Sequence, residues 1–265
     1  MKTALLLSGH MRNYKAAFDN QKTAIIEPNN CDVFIVTSTV DTHVYLKGMK
    51  GTKKTHASYH QPCEDGSQGY VEIIQHDKNA LEEQIRDFYG PRLKGLIINE
   101  ENIDDVITKN SLPVAAKAGG HGFQWLRVKQ SNELKNAYEQ QAGEKYSAVI
   151  RSRTDLVFKN QLRVSDYNLS NKDVFLCQHH AYPKIEIHDQ FAFGSSTIMN
   201  IYCDLHDYYG TFRKPSQLGL WKSEHELTDY LISKNIIINK IPHKPFFGMV
   251  RGGLGPQDDK YLQVY

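Results

Sequence analysis

Through the first 160 residues of this chain, short apolar runs alternate with segments of helical spacing. That alternation is the strongest restriction on its fold, because strands separated by helices are joined by crossovers and line up as a mainly parallel sheet. The expected order begins with a strand over Thr3–Leu7, a helix over Tyr14–Ile26 stopped by Pro28, and a buried strand over Asp32–Ser38. Leu46–Gly69, rich in Lys, Gly, His and Ser and without periodicity, reads as a long loop. A strand at Tyr70–Ile74, a helix at Asn79–Tyr89 with Leu81, Ile85 and Phe88 on one side, and a strand at Leu93–Ile98 follow. A short helix is expected over Asn102–Thr108, a mobile turn around Gly119-Gly120, and a long amphipathic helix over Phe123–Gln141. The remainder is less regular: strands at Asp173–Gln178, Gln190–Phe193 and Ile236–Ile241, helices at Thr197–Tyr208 and Glu224–Ser233 with Ser196 and Ser223 as candidate caps, and a Gly-rich turn at Gly252–Gly255. No internal repeat or linker marks a domain boundary, so the chain reads as one domain with halves 1–160 and 161–265.

The stretch Tyr146–Phe158, YSAVIRSRTDLVF, breaks the pattern of a buried strand. Its apolar run passes into Arg151, Arg153 and Asp155 before returning to Leu156, Val157 and Phe158. If it stays extended, residues two apart share a face and the three charges point one way. Guanidinium groups fork onto phosphate oxygens, and a carboxylate can hold a divalent cation. An internal Arg–Asp ion pair closing the strand end accounts for the same residues. In parallel sheets ligands sit beyond the carboxyl ends of the strands. Ser8-Gly9-His10-Met11-Arg12, after the first strand, falls at the same kind of position, and neither a Walker A nor a GxGxxG pattern is present there.

Composition excludes several classes. The 32 Lys and Arg nearly balance 30 Asp and Glu, leaving a formal charge of +2, which does not suit a general nucleic-acid binder. The four cysteines, Cys31, Cys63, Cys177 and Cys203, form no CxxC pair, and Cys31 and Cys177 read as buried thiols of a reduced, cytoplasmic protein. The apolar core Ala4–Leu7 is shorter than the ~7–15 residues of a signal-peptide core. No run approaches the ~20 apolar residues of a membrane span, which leaves peripheral membrane association open.

Other constellations are weaker. His188-Asp189 suits a general base or a sugar-hydroxyl contact, or a turn cap. His179-His180 with His188 and Asp189 has the composition of a transition-metal site, but adjacent residues of an extended chain point to opposite sides. Glu224-His225-Glu226 opens a helix, where acids favour the dipole. His243, Lys244 and Arg251 suit an anionic ligand or a solvated rim, and Trp125 a stacking surface or the core.

In this order, ALLLSGHMRNY, DVFIVTS, QWLRVKQSNELKNAYE, YSAVIRSRTDLVF, DQFAFGSSTIM and SEHELTDYLI resemble a group of bacterial and viral glycosyltransferase-like proteins, including the WavE-type lipopolysaccharide-synthesis family. The resemblance spans most of the chain, with Leu46–Gly69 the poorest match. It implies a GT-A-like, Rossmann-like mainly parallel sheet flanked by helices, with an irregular α+β C-terminal part. It implies transfer of a sugar from a nucleotide-sugar donor to a glycan or polysaccharide acceptor. Ser8, Gly9, His10, Arg12, Arg151, Arg153, Asp155 and Arg251 would then bind the nucleotide sugar, Asp189 and Glu224 would be catalytic, and Asp155 would hold Mn²⁺ or Mg²⁺. Arg153 stands where the first acid of the Asp-x-Asp element is expected, and an arginine can itself neutralise a leaving diphosphate. A non-catalytic nucleotide- or carbohydrate-binding module, and a metal-dependent hydrolase using His179, His180, His188 and Asp189, are the alternatives.

Overall fold

The structure, a computed structural model, describes residues 1–12, 14–45, 58–62, 68–101, 118–178, 187–208, 223–241, 247–250 and 262–263; of 16, 42–45, 58–62, 68–73, 118–122, 247–250 and 262–263 it describes the backbone alone. The strands are β1 (Thr3–Ser8), β2 (Cys31–Ser38), β3 (Val40–Tyr45), β4 (Ser58–Pro62), β5 (Gln68–Gln75), β6 (Leu93–Asn99), β7 (Ala148–Ser152), β8 (Leu156–Phe158), β9 (Asp173–Gln178), β10 (Ile187–Gly194), β11 (Ile237–Ile241), β12 (Phe247–Val250) and β13 (Leu262–Gln263). The α-helices are α1 (Tyr14–Gln21), α2 (Lys78–Tyr89), α3 (Ala118–Ala142), α4 (Ser196–Cys203), α5 (Leu205–Tyr208) and α6 (Ser223–Ser233).

Seven strands form the central sheet in the order β11-β9-β10-β7-β1-β2-β6. β1 pairs in parallel with both β2 and β7, β2 with β6, and β11 with β9. β10 alone is reversed, antiparallel to β7 and β9. The fold is therefore α/β with a mainly parallel sheet, as the strand–helix alternation requires. Successive residues of the inner strands feed two apolar layers. Leu5, Leu7, Val33, Ile35 and Ile150 pack with Phe18, Ile25 and Ile85 on one face. Ala4, Leu6, Phe34 and Val149 pack with Trp125, Val128, Tyr202 and Leu227 on the other. α3 approaches the sheet so closely that a Cβ at Gly95 would stand 3.0 Å from Phe34 and 3.2 Å from Leu134.

Several expected elements need correction. The stretch expected as one loop contains β4 and the start of β5, which pair in a three-stranded antiparallel sheet of order β3-β5-β4. Strands of polar composition such as SYHQP carry no apolar alternation, so backbone pairing alone defines them. The helix expected over Tyr14–Ile26 changes to π-helix at Lys22–Ile26, where the Glu27 amide donates to the carbonyl five residues back, 2.9 Å away. Thr197–Tyr208 is two helices capped by Ser195, whose hydroxyl accepts from the Ile198 amide, rather than by Ser196. Gly119 and Gly120 lie in the first turn of α3, not in a turn. Ser223 is the first residue of α6, and its hydroxyl accepts a 2.7 Å bond from Trp125 Nε1. The expected helix at Asn102–Thr108, His179-His180 and Arg251 lie outside the described residues. Cys31, Cys177 and Cys203 are buried free thiols, and burial pushes all three upward, Cys203 to about 12. Among the described residues no helix is long and apolar enough to cross a membrane.

Candidate functional site at the switch point of the sheet

The order of strands places a switch point in the sheet. From β1 the chain moves outward through β2 to β6, then α3 carries it back to β7 on the other side of β1. The loops leaving β1 and β7 therefore part in opposite directions, opening the crevice where such sheets bind ligands. Ser8–Arg12 leaves β1, and Arg153-Thr154-Asp155 leaves β7.

Both loops are held in defined shapes. Gly9 has φ 131°, open to glycine and strained for other residues, and its amide bonds the Val36 carbonyl at 3.2 Å. Arg12 adopts the left-handed region at φ 42°. Its amide donates to Asp41 Oδ2 at 2.7 Å, which fixes that conformation from β3. On the other loop, the buried Gln21 amide donates to the carbonyls of Arg153, Thr154 and Leu156 at 3.3, 3.0 and 2.9 Å. Asn20 donates to the Phe158 carbonyl and accepts from its amide. Thr154 Oγ1 donates to the His10 carbonyl and ties one loop to the other.

The expectation that Tyr146–Phe158 stays extended does not hold. The strand breaks into β7 and β8 at Thr154-Asp155, and β8 joins a separate sheet of order β13-β12-β8. The break separates the three charges. Arg153 forks onto Asp155, with Nε to Oδ1 and Nη2 to Oδ2 both at 2.8 Å. Arg12 Nη1 adds a third bond to Oδ2 at 3.2 Å. Burial alone pushes the Asp155 carboxyl up, but the Arg153 and Arg12 guanidiniums outweigh it and hold it well below the usual carboxylate range. Arg151, fully buried, instead donates through Nη1 to the Asp189 carbonyl oxygen, which also accepts from Tyr202 Oη at 3.4 Å. Arg151 Nε and Nη2 have no hydrogen-bond partner among the described residues.

Around this core stand the expected His10, Asp189 and Ser8, together with Asp41, His76, Arg127 and Gln124, which no sequence pattern announced. Asp41, buried just past the end of β2, accepts at Oδ2 from the Arg12 amide and pairs with His76 Nε2 at 2.9 Å. His10 Nδ1 donates to the Val40 carbonyl and lies 3.6 Å from Asp41 Oδ1. A carbonyl only accepts, so His10 carries its proton on Nδ1 and keeps Nε2 as an acceptor. Burial, then the nearby Arg127 and Arg12 charges, push this histidine down to about 3 against the pull of Asp41, so it is neutral at pH 7. Arg127 in turn pairs with Glu101. Asp189 enters from the reversed strand β10, whose beginning, not its end, reaches this edge. Gln124 Nε2 donates to its Oδ2 at 2.7 Å. The neighbouring Trp125 bonds Ser223, so the first turn of α6, with Glu224, is anchored beside the same helix end. Ser8 is buried.

A divalent cation does not fit at Asp155. Both carboxylate oxygens already accept bonds from guanidinium nitrogens, and the side chain is 1% exposed. Among the described residues no group of three or more His, Cys, Asp or Glu side chains is placed to hold a metal ion.

No family model matches the chain, and no curated protein matches its sequence. Among solved structures, the apo form of the glycosyltransferase GlyE from Streptococcus pneumoniae TIGR4 is similar over 90% of this chain, at 9% identity and a TM-score of 0.41. The chain spans 45% of that protein's length.

Proposed function

We propose that the chain is a glycosyltransferase that takes a nucleotide-sugar donor, with the diphosphate lying in the crevice between the β1 and β7 loops. The observation that carries this reading is the placement of Arg12 and Arg153, 23% and 19% exposed, over one buried carboxylate at the switch point. The carboxylate is sealed while both arginine side chains keep some exposed surface, so a ligand reaching this point meets arginine rather than the carboxylate. The wider cluster is electrically even, with Arg12, Arg127 and Arg153 against Asp41, Glu101 and Asp155. Binding therefore rests on the direction in which the charges face rather than on their sum.

In the transfer, the bond from the sugar's anomeric carbon to the diphosphate oxygen breaks, and its electron pair stays on the diphosphate. The acceptor hydroxyl oxygen bonds to the anomeric carbon and gives up its proton. Arg12 and Arg153 stabilise the charge that develops on the leaving diphosphate. Asp189, at the beginning of β10, is the base that takes the proton in an inverting reaction. His10, neutral with Nε2 as acceptor, offers one contact to a donor group of the nucleoside. The acceptor is a glycan or polysaccharide, and Glu224, in the first turn of α6, is the second candidate to meet it.

A thermal-shift and calorimetric screen of UDP-, GDP-, CMP- and dTDP-sugars tests the reading. One nucleotide class is expected to stabilise the protein, with slow donor hydrolysis lost in Asp189→Asn. Failure of every class to bind would sink it. A second reading, a binding module without turnover, is favoured by the bond that already occupies Asp189 Oδ2. Donor binding with hydrolysis no faster than in buffer, and unchanged in Asp189→Asn, would select it.

A further inference from the structure

The function proposed above gives the leaving diphosphate to Arg12 and Arg153, and the geometry points to a consequence for metal dependence that rests on that reading. We infer that Arg12 and Arg153 form a fixed cationic pair that takes the place of a divalent cation at the donor's diphosphate. Asp155 is then a positioning residue for the pair, not a metal ligand.

Three observations carry this. First, the Asp155 carboxylate makes three guanidinium bonds and is nearly sealed from solvent, so a cation would have to displace both arginines to reach it. Second, Arg12 is held at both ends. Asp41 fixes its backbone amide in the left-handed conformation, and Asp155 fixes its guanidinium. Third, the two loops that carry the pair are locked to each other through Thr154 and to α1 through Gln21. A guanidinium normally loses side-chain entropy when it captures an anion. Here most of that freedom is already removed, so the pair meets the diphosphate preorganised, as a bound metal would.

The test is calorimetry on the full chain with UDP, GDP, CDP and dTDP, each in EDTA and each in Mn²⁺, together with a titration of Mn²⁺ alone. The expected result is that the best diphosphate binds equally well in both media and that Mn²⁺ alone gives no heat. Arg12→Gln leaves the Arg153 fork intact and should fold, yet it should weaken that diphosphate by about tenfold or more, since a bond to a charged group contributes ~1.5–3 kcal/mol. Asp155→Asn should weaken it in EDTA as well as in Mn²⁺, a result a metal ligand would not give. If EDTA abolishes diphosphate binding, or Mn²⁺ binds one-to-one and Asp155→Asn removes it, this inference alone fails. If no diphosphate binds in either medium, the nucleotide-sugar reading fails and takes the inference with it.

Discussion

The central sheet carries a buried charge cluster at each end, and the two are built differently. At the amino end, Lys135 is fully buried, and its ammonium donates to Glu139 Oε2, Ser196 Oγ and Asn200 Oδ1 at 3.3, 2.7 and 3.0 Å. Glu139 Oε1 accepts from the Tyr146 amide and from Ser196. Burial lowers the pKa of Lys135, with Glu139 pulling the other way. All three ammonium protons are used, so the cluster is closed and joins α3, α4 and the start of β7. At the carboxyl end, Arg12 and Arg153 share one carboxylate and stay partly exposed. Buried ions are costly unless fully paired. A closed cluster meets that demand from within the chain, whereas an open one points to a partner from outside.

Four measurements can break or sharpen this contrast. The largest effect is expected from Lys135→Met, which strands the Glu139 carboxylate and should cost about 3–5 kcal/mol in urea unfolding, with ligand binding by the folded fraction unchanged. Pairing it with Glu139→Leu should recover much of the loss, because an apolar pair needs no counter-charge. Arg153→Met leaves Asp155 one guanidinium and should cost about 1–3 kcal/mol while abolishing diphosphate binding. Equal losses of stability in both variants with binding intact would erase the distinction.

The third effect is a pH dependence. Burial and the Arg127 and Arg12 charges push His10 down to about 3 in the folded chain from 6.5 in the unfolded one, so between those values the unfolded chain binds the extra proton. Its stability is fully present above 6.5 and falls with acid by up to about 1.4 kcal/mol per pH unit. Asp155, depressed from 3.8, contributes stability present above 3.8 and lost as pH falls further. Denaturation series from pH 7 to 3 should show the slope, and His10→Gln should flatten it above pH 4. The smallest effect is a control outside both clusters. Asp77, whose Oδ1 accepts from the Ala80 amide to cap α2, should cost about 1 kcal/mol as Asp77→Ala and leave ligand binding untouched.

Much of the frame was legible in the residues. Leu5-Leu6-Leu7 and Val33-Phe34-Ile35 are apolar at every position because both faces of a parallel sheet are covered, and they form β1 and β2. The strand-end rule brought Arg12 and Asp155 to one crevice, although 143 residues separate them. The partners that shape the crevice were not legible. Asp41 stands alone in sequence, between a strand end and a stretch without periodicity, and only pairing of β3 with β5 brings His76 to it. Gln124 and Gln21 are single amides on helices, indistinguishable by pattern from solvated glutamines. Arg151 was grouped with Arg153 by parity, which fails because β7 ends at Ser152 and Arg153 already belongs to the loop.

The π-helical segment after Gln21 bears on how this site tolerates change. An i to i+5 turn holds one residue more than the α-helical turn it replaces. That surplus residue sits directly after the side chain that grips the carbonyls of the Arg153–Leu156 turn. Removing one residue from Lys22–Ile26 would regularise the helix but turn Gln21 by about 100° relative to everything that follows. Chain length, more than residue identity, is therefore what the crevice inherits from this helix. A single deletion in Lys22–Ile26 would retune it more than most substitutions beside the two arginines.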